Sequence, residues 1–274
     1  MGPTLLFVPG DRPDRFSKAA ERSDAVILDL EDAVAPADKA KAREHMAAST
    51  LDPATTMVRI NALGTEAARL DLAALALGRF NTIMVAKASD VDAIAALEKY
   101  NVVVLCETAA GIQAAQALAH LPNVVALMWG AEDLVASLGG SSSRFGADSP
   151  QAGRYRAVAT HARSQLLLAA AAAGKASIDS IYADFADLDG LAAEAEDAAA
   201  SGFSAKACIH PSQVAVVRDA YRPSSAEVAA ATELLAAAEA AGTGVFAFKG
   251  QMVDGPILLH ARQTLRRAGL GWNS

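Results

Sequence analysis

Residues 25–32 read AVILDLED, a short apolar run that ends on acidic residues and lies between alanine-rich stretches with helical periodicity. Seven further apolar runs of this kind occur at residues 5–9, 57–61, 82–87, 102–108, 124–130, 176–182 and 204–210. Strands that alternate with helices pair in parallel, and near-continuous apolar strands are covered on both faces. Eight such units predict an α/β fold, a closed (β/α)8 TIM barrel. No G-x-G-x-x-G follows the first strand to favour an open dinucleotide-binding sheet.

The chain has 274 residues, somewhat more than the roughly 250 of a typical single barrel. We therefore predict the barrel over residues 1–222 and a C-terminal helical extension over residues 223–274. The extension contains a helical stretch, the glycine-flanked segment FAFKGQMVDGP (246–256) and a last helix, which is more than a barrel requires.

Composition excludes several classes of protein. The net charge of -7, without any basic stripe, argues against nucleic acid as a partner. No run of ~18 apolar residues is present to span a membrane, and the N-terminus lacks the pattern of an export signal. Cys106 and Cys208 lie in apolar runs, which indicates buried thiols. These features predict a cytoplasmic protein.

Polar residues lie at or just after the end of every predicted strand, where barrel enzymes build their active sites. Any one of them could be only a helix cap or a salt-bridge partner, but a polar group after all eight strands indicates a functional site. In strand order they are Asp11 and Arg12; Asp29, Glu31 and Asp32; Arg59 and Asn61; Lys87; Glu107; Glu132 and Asp133; Asp179; and His210.

Carboxylates outnumber the cationic groups in this set, and such an excess is costly unless a cation relieves it. Oxygen ligands without a cysteine cluster or a His-x-x-x-His pair favour Mg²⁺ over Zn²⁺. Glu107 and Asp133, on neighbouring strands, suit a Mg²⁺ site with two carboxylate ligands. Glu132 is expected to point away from Asp133 if this segment is extended.

Seven segments carry a family resemblance that covers essentially the whole chain. They are FVPGDRPDRFSKA (7–19), ILDLEDAV (27–34), VRIN (58–61), CETAAGI (106–112), MWGAEDL (128–134), ACIHPSQ (207–213) and GQMVDGP (250–256). With these motifs the sequence closely resembles the citrate lyase β-subunit-like group. That group includes malyl-CoA and citramalyl-CoA lyases and is related to the 2-oxo-acid class II aldolases.

The resemblance implies a role for each matching residue. Glu107 and Asp133 would bind Mg²⁺, with Glu107 also near the substrate, and Arg59 would hold the carboxylate of the 2-oxo acid during catalysis. A planar guanidinium can bind a carboxylate through two hydrogen bonds, which lysine cannot reproduce. Asp254 matches an acid/base carboxylate that a neighbouring subunit of a homotrimer supplies, which would give the extension its purpose.

Further residues are assigned to contacts around this centre. Phe7, Arg12 and Lys18 fall where related lyases contact the substrate or the nucleotide of CoA. Glu31, and with it Asp29, is expected behind the metal, hydrogen-bonding its waters or orienting Arg59, while a salt bridge from Glu31 to Arg12 or Lys87 is an equal alternative. His210 precedes a proline and is more typical of a residue between a strand and a helix, so its role stays open.

The resemblance implies a Mg²⁺-dependent carbon-carbon lyase that cleaves or forms a β-hydroxyacyl-CoA, such as malyl-, citramalyl- or citryl-CoA. Its partners would be a small 2-oxo acid and an acyl-CoA. Three alternatives remain open at this point: a citrate lyase β subunit that acts on a citryl acyl-carrier-protein thioester within a complex, an aldolase for free 4-hydroxy-2-oxo acids, and a non-catalytic protein that kept the fold.

Overall fold

The eight predicted strands form a closed parallel barrel in a computed structural model, which describes residues 2–242 and 244–270. The strands are ordered β1 to β8 around the barrel, and β1 also pairs with β8, so the predicted TIM barrel is confirmed. Their bounds are Thr4–Pro9 (β1), Ala25–Asp29 (β2), Thr56–Ile60 (β3), Thr82–Val85 (β4), Asn101–Cys106 (β5), Val124–Trp129 (β6), Ala176–Asp179 (β7) and Ala205–Cys208 (β8).

Helices follow the strands as the alanine-rich stretches predict, with two helices between β6 and β7. They are Phe16–Arg22 (α1), Lys39–Ala47 (α2), Glu66–Leu75 (α3), Val91–Ala95 (α4), Ala109–Ala119 (α5), Ala131–Ser137 (α6), Ala157–Ala172 (α7), Leu188–Ser201 (α8) and Pro211–Tyr221 (α9). Within the described part of the chain, no helix has the length and apolar character needed to cross a bilayer.

The barrel interior is filled by alternate residues of the strands, because successive side chains of a strand point to opposite faces. Ala25 and Ile27 of β2 and Val103 and Leu105 of β5 belong to one buried apolar cluster inside the barrel, together with residues of the other strands. The intervening residues face the helices and are also buried, as the near-continuous apolar runs indicate. Cys106 and Cys208 are among the buried strand residues, and neither forms a disulfide.

The chain divides into two compact units, residues 1–217 and 218–274. The second unit contains helix Ser225–Ala241 (α10), strands Phe246–Phe248 (β9) and Gln251–Val253 (β10), and helix Gly255–Arg267 (α11). Ala231 and Leu235 of α10 pack against Ala261 and Leu265 of α11. The antiparallel hairpin β9–β10 was not expected in a helical extension. Its turn consists of Lys249 and Gly250, both with positive φ (47° and 80°), as a two-residue hairpin turn with matching twist requires.

A buried ion network supports the barrel where β6, β7 and β8 adjoin. The Lys206 side chain, which is completely buried, donates hydrogen bonds to Asp179 (3.0 Å) and Glu194 (2.8 Å). Asp179 also accepts hydrogen bonds from Arg163 (2.9 Å) and from the indole of Trp129 (2.8 Å). Burial alone would raise the pKa of Asp179, but the Lys206 and Arg163 charges outweigh it and lower that pKa. Asp179 therefore joins a structural network here.

Lys206→Met should destabilise the barrel by about 3–5 kcal/mol, because it leaves the charge of buried Asp179 without a main partner. The measurement is the free energy of unfolding from urea denaturation followed by circular dichroism. Lys41→Met is the matched control, since Lys41 is exposed and its nearest acidic partner, Asp38, is 4.0 Å away; it should change stability by less than ~0.5 kcal/mol. Equal effects of the two substitutions would show that the network adds nothing.

Candidate active site

A cleft of about 210 Å³ opens at the C-terminal ends of the barrel strands. In three strands, the residue two positions after the last apolar residue of the interior also points inward and lines the cleft. Ile27 is followed by Asp29, Met57 by Arg59 and Leu105 by Glu107. The remaining lining residues are Phe7, Asp32, Ala33, Met128, Gly130, Ala131, Glu132, Asp133, Ser180, Ile181 and Ile209. The side-chain alternation that builds the apolar core therefore also delivers the polar groups to one place.

Arg59 is fixed by carboxylates on the neighbouring strand. Its Nε and Nη2 donate to the two oxygens of Asp29 at 2.7 and 2.6 Å, and its Nη1 lies 3.1 Å from Glu31. Asp29 also accepts hydrogen bonds from the backbone N–H groups of Glu31 and Ala33. The hydrogen bonds to Asp29 occupy two of the five N–H groups, so both terminal nitrogens keep an N–H group with which to bind one carboxylate.

The charge of Arg59 is secure despite its burial. Desolvation opposes it, but the hydrogen bonds to Asp29 and the nearby charges of Glu31 and Glu107 raise the pKa of the guanidinium. The guanidinium carbon lies over the Phe7 ring, 4.8 Å from its centroid. The result is a rigid cation with a restricted approach, suited to holding an anion in one orientation.

Glu107 is a buried carboxylate, with 3% of its side chain exposed. It follows β5 directly, and Thr108 caps helix α5 by accepting from the backbone N–H of Gly111, which fixes the chain there. Its Oε1 accepts a hydrogen bond from the backbone N–H of Lys87 at 3.1 Å. Desolvation, and then the charge of Asp133, raise the pKa of Glu107 to about 8, although Lys87 and Arg59 act in the opposite direction. A carboxylate in this state gains from a nearby cation.

Asp133 lies in the first turn of α6, with 41% of its side chain exposed. The segment after β6 is helical, so the condition of an extended chain, under which Glu132 was expected to point away from Asp133, is not met. Helix geometry separates the two side chains instead, and Glu132 accepts a hydrogen bond from Ser143 at 2.5 Å. Gly130, which begins this helix, passes so close to Glu107 that a Cβ there would lie 2.8 Å from its carboxylate. A glycine is needed to make room for Glu107.

Lys87 places its ammonium among the acidic groups. It contacts Glu31 and Asp32 directly, the latter at 3.2 Å, and lies 3.9 Å from both Glu107 and Asp133. Glu31 therefore makes a contact from each of the two alternatives: it lies beside Arg59, and it forms a salt bridge to Lys87. Arg12 forms an exposed ion pair with Asp14 instead.

Three other predicted residues of the barrel, Arg12, Lys18 and His210, are not among those that line the cleft. Arg12 and Lys18 are exposed on the segment that follows β1, at the same end of the barrel as the cleft. His210 is exposed, its Nδ1 lies 2.7 Å from Ser212 Oγ, and its ring stacks on Phe185. Asp254 belongs to the second unit, where it is the N-cap residue of α11 and makes no side-chain capping hydrogen bond.

Sequence reasoning left two contributors to the site unassigned. Lys87 was recognised only as a strand-end cation and salt-bridge partner, and nothing in a strand pattern predicts that its side chain turns inward. Gly130 stands in the motif MWGAEDL, and a glycine between a strand and a helix that carries a candidate ligand is a signal of close backbone approach. The structural partner of Asp179, Lys206, was also missed, because a lysine in an apolar strand gives no indication of which carboxylate it meets.

The cleft can accommodate a hard divalent cation. Glu107 and Asp133 provide oxygen ligands only, and Glu107 is buried with a raised pKa that a cation would reverse. In residues 2–242 and 244–270, no three His, Cys, Asp or Glu side chains are arranged to bind one ion. Mg²⁺ is typically bound by one or two carboxylates and keeps waters or substrate oxygens, so Glu107 and Asp133 suit it.

Comparisons with known proteins agree on one family. Residues 3–211 match the HpcH/HpaI aldolase/citrate lyase family. An L-malyl-CoA/beta-methylmalyl-CoA lyase of Cereibacter sphaeroides is 36% identical over 296 residues, which cover 96% of this chain and 93% of that protein.

Two solved structures from Mycobacterium tuberculosis have the same fold. CitE in complex with magnesium, acetoacetate and coenzyme A has a TM-score of 0.91 and 51% identity, with 98% of each chain covered. The citrate lyase beta subunit complexed with oxaloacetate and magnesium has a TM-score of 0.78 and 50% identity, covering 81% of this chain and 97% of that one.

Burial of Glu107 predicts a pH-dependent loss of stability in the metal-free protein. Its folded pKa of about 8 exceeds the roughly 4.3 of an unfolded glutamate, so its contribution to stability is lost as the pH rises through that window. Glu107→Gln removes the ionisation. At pH 8 the variant should melt a few degrees above the wild type, since ~1 kcal/mol moves the midpoint of a domain of this size by roughly 2–4 °C.

The difference in melting temperature between Glu107→Gln and the wild type should shrink towards pH 5. Both proteins are melted in EDTA, and unfolding is followed by circular dichroism. The exposed Glu66→Gln is the control and should show no such trend. Parallel pH profiles for Glu107→Gln and wild type would contradict the assignment of a buried, reluctantly charged carboxylate.

Proposed function

Because the chain belongs to the HpcH/HpaI aldolase/citrate lyase family, we propose that it cleaves, or forms in reverse, a small β-hydroxyacyl-CoA with the help of Mg²⁺. Family membership makes it a carbon-carbon lyase; the thioester substrate, of the malyl-, citramalyl- or citryl-CoA type, is the proposal. The products would be a 2-oxo acid and an acyl-CoA. The observation that carries it is the fixed guanidinium of Arg59 beside the carboxylates Glu107 and Asp133 in one cleft.

Glu107 and Asp133 are the proposed Mg²⁺ ligands. Their support is the buried carboxylate of Glu107 with the partly exposed carboxylate of Asp133 in the same cleft, and the magnesium in the two M. tuberculosis complexes. When bound, Mg²⁺ would supply Lewis-acid polarisation and a template for the two oxygens of a 2-oxo acid.

Arg59 is proposed to hold the carboxylate of the 2-oxo acid. Two of its N–H groups donate to Asp29 and its Nη1 pairs with Glu31, so the acid would meet the N–H groups that remain on the terminal nitrogens. Because Asp29 prevents the guanidinium from rotating, the substrate would be oriented as well as bound. The oxaloacetate in one of the two related structures is an acid of this kind.

In the cleavage direction, the hydroxyl group of the substrate loses its proton and becomes the carbonyl of the 2-oxo acid. The electrons of the broken carbon-carbon bond pass to the acyl-CoA fragment as a thioester enolate, which is then protonated at carbon. Asp254, supplied by a neighbouring subunit of a homotrimer, is the proposed acid/base: its carboxylate takes the proton of the hydroxyl group and then gives it to the enolate carbon. Its N-cap carboxyl group makes no capping hydrogen bond, so it is not committed to the helix that it begins.

Phe7, Arg12 and Lys18 are the proposed contacts of the acyl-CoA. Phe7 lines the cleft, while Arg12 and Lys18 are exposed on the same end of the barrel and could meet phosphate groups. Coenzyme A in the CitE complex supports a thioester of CoA over one of an acyl carrier protein.

A panel of malyl-, citramalyl- and citryl-CoA, with and without Mg²⁺, tests the substrate class. We expect the purified chain to cleave at least one thioester and to lose that activity in EDTA. In Arg12→Ala, KM for the thioester should rise while turnover of any free 4-hydroxy-2-oxo acid stays unchanged. Activity on the free acid alone would favour an aldolase, and activity only with a citryl acyl carrier protein would favour a citrate lyase β subunit.

Asp254→Asn should lower kcat by ~10²- to 10⁴-fold, the usual contribution of a general acid, while calorimetric Mg²⁺ affinity stays unchanged. Glu233→Gln, an exposed carboxylate of the same unit, is the control. Mixing Asp254→Asn with Arg59→Ala subunits should restore part of the activity if the two residues come from different subunits. Full activity of Asp254→Asn would remove this residue from the mechanism.

A further inference from the structure

Lys87 has a backbone conformation that an ordinary strand end does not require. Its φ is 54°, in the left-handed region that L side chains rarely adopt. The chain is hydrogen-bonded on both sides: Ala86 donates to Ile60 at 3.3 Å and Ala88 donates to Leu105 at 3.0 Å. A conformation of this kind persists where the surroundings enforce it, as in the hairpin turn at Lys249, and such residues also cluster at functional sites.

The left-handed turn changes the direction in which Lys87 points. Met84 of β4 belongs to the barrel interior, so strict alternation would place Ala86 inward and Lys87 outward. The Lys87 ammonium instead meets the carboxylates at the strand ends, with 33% of the side chain exposed. Its backbone N–H also donates to Glu107, so one residue supplies both a hydrogen bond and a charge to the site.

The ammonium has two kinds of acidic neighbour. Glu31 and Asp32, after β2, contact it directly and hold it in place. Glu107 and Asp133, after β5 and β6, each lie 3.9 Å away, too far for a normal hydrogen bond but close enough for strong electrostatic attraction. The second pair are the proposed Mg²⁺ ligands. A divalent ion bound to them would therefore have a fixed positive charge close by.

We propose that Lys87 is a built-in counter-cation that lowers the affinity of the cleft for Mg²⁺. This inference rests on the proposed function of Glu107 and Asp133. Before a metal binds, Lys87 offsets part of the repulsion among the four carboxylates. When a metal binds, Lys87 stays anchored by Glu31 and Asp32 and repels it, because both cations share the same pair of carboxylates.

The sign of the effect distinguishes this role from a merely structural one. If Lys87 only kept Glu107 and Asp133 in place, its loss would weaken Mg²⁺ binding. If it acts as a counter-cation, its loss should strengthen binding. A unit charge within ~4–6 Å of a divalent ion changes its affinity by about tenfold even when the surroundings are nearly as polar as water.

The test is a calorimetric Mg²⁺ titration of the full chain without substrate. Lys87→Met keeps the length of the side chain and removes its charge, and it should lower the dissociation constant by about tenfold or more. Lys87→Gly should do the same and is a second variant, because glycine adopts positive φ readily. Lys87→Arg keeps the charge and should stay within ~3-fold of wild type, as should the distant Lys41→Met.

Two negative results of this titration would lead to different conclusions. If the wild type itself shows no Mg²⁺ binding that Glu107→Gln abolishes, the proposed metal site is wrong and the role of Lys87 falls with it. If the wild type binds Mg²⁺ at that site but the folded Lys87→Met and Lys87→Gly proteins bind it equally or more weakly, only the counter-cation role is wrong.

Discussion

The ion pair between Asp29 and Arg59 is the interaction on which the rest of the cleft depends. The two residues are paired in register across β2 and β3, so the barrel itself brings them together. Asp29 is completely buried and uses both oxygens on Arg59 and on the backbone of the next residues. A buried charge left alone is costly, so neither residue can be lost without disturbing the other. This constraint turns a flexible side chain into a fixed anion-binding group.

The positive charges of Arg59 and Lys87 partly offset the cost of burying the carboxylate of Glu107 in the same site. Glu107 is buried with a raised pKa, and Gly130 leaves just enough room for its carboxylate. Such a group is poorly satisfied by the protein alone, unlike Asp179, whose buried charge is balanced by Lys206 and Arg163. The contrast separates a carboxylate that stabilises the fold from one that is available for a ligand.

Much of this arrangement could be predicted from the sequence, because strand alternation and the common end of parallel strands are regular. Asp29, Arg59 and Glu107 each follow an inward-facing apolar residue by two positions, so their convergence was foreseeable. Lys87 was not, since its inward turn depends on a positive φ that no strand pattern encodes. Whether the segment at Asp133 is extended or helical could not be decided from the strand pattern, and the helix that carries it begins at Ala131.

A crystal structure of the chain grown with Mn²⁺ in place of Mg²⁺ and with oxaloacetate tests the central claim most directly. The anomalous signal of the metal should lie between Glu107 and Asp133, with the carboxylate of the acid on the terminal nitrogens of Arg59. A metal bound instead by Asp29, Glu31 or Asp32, or an acid that does not touch Arg59, would contradict this account of the cleft.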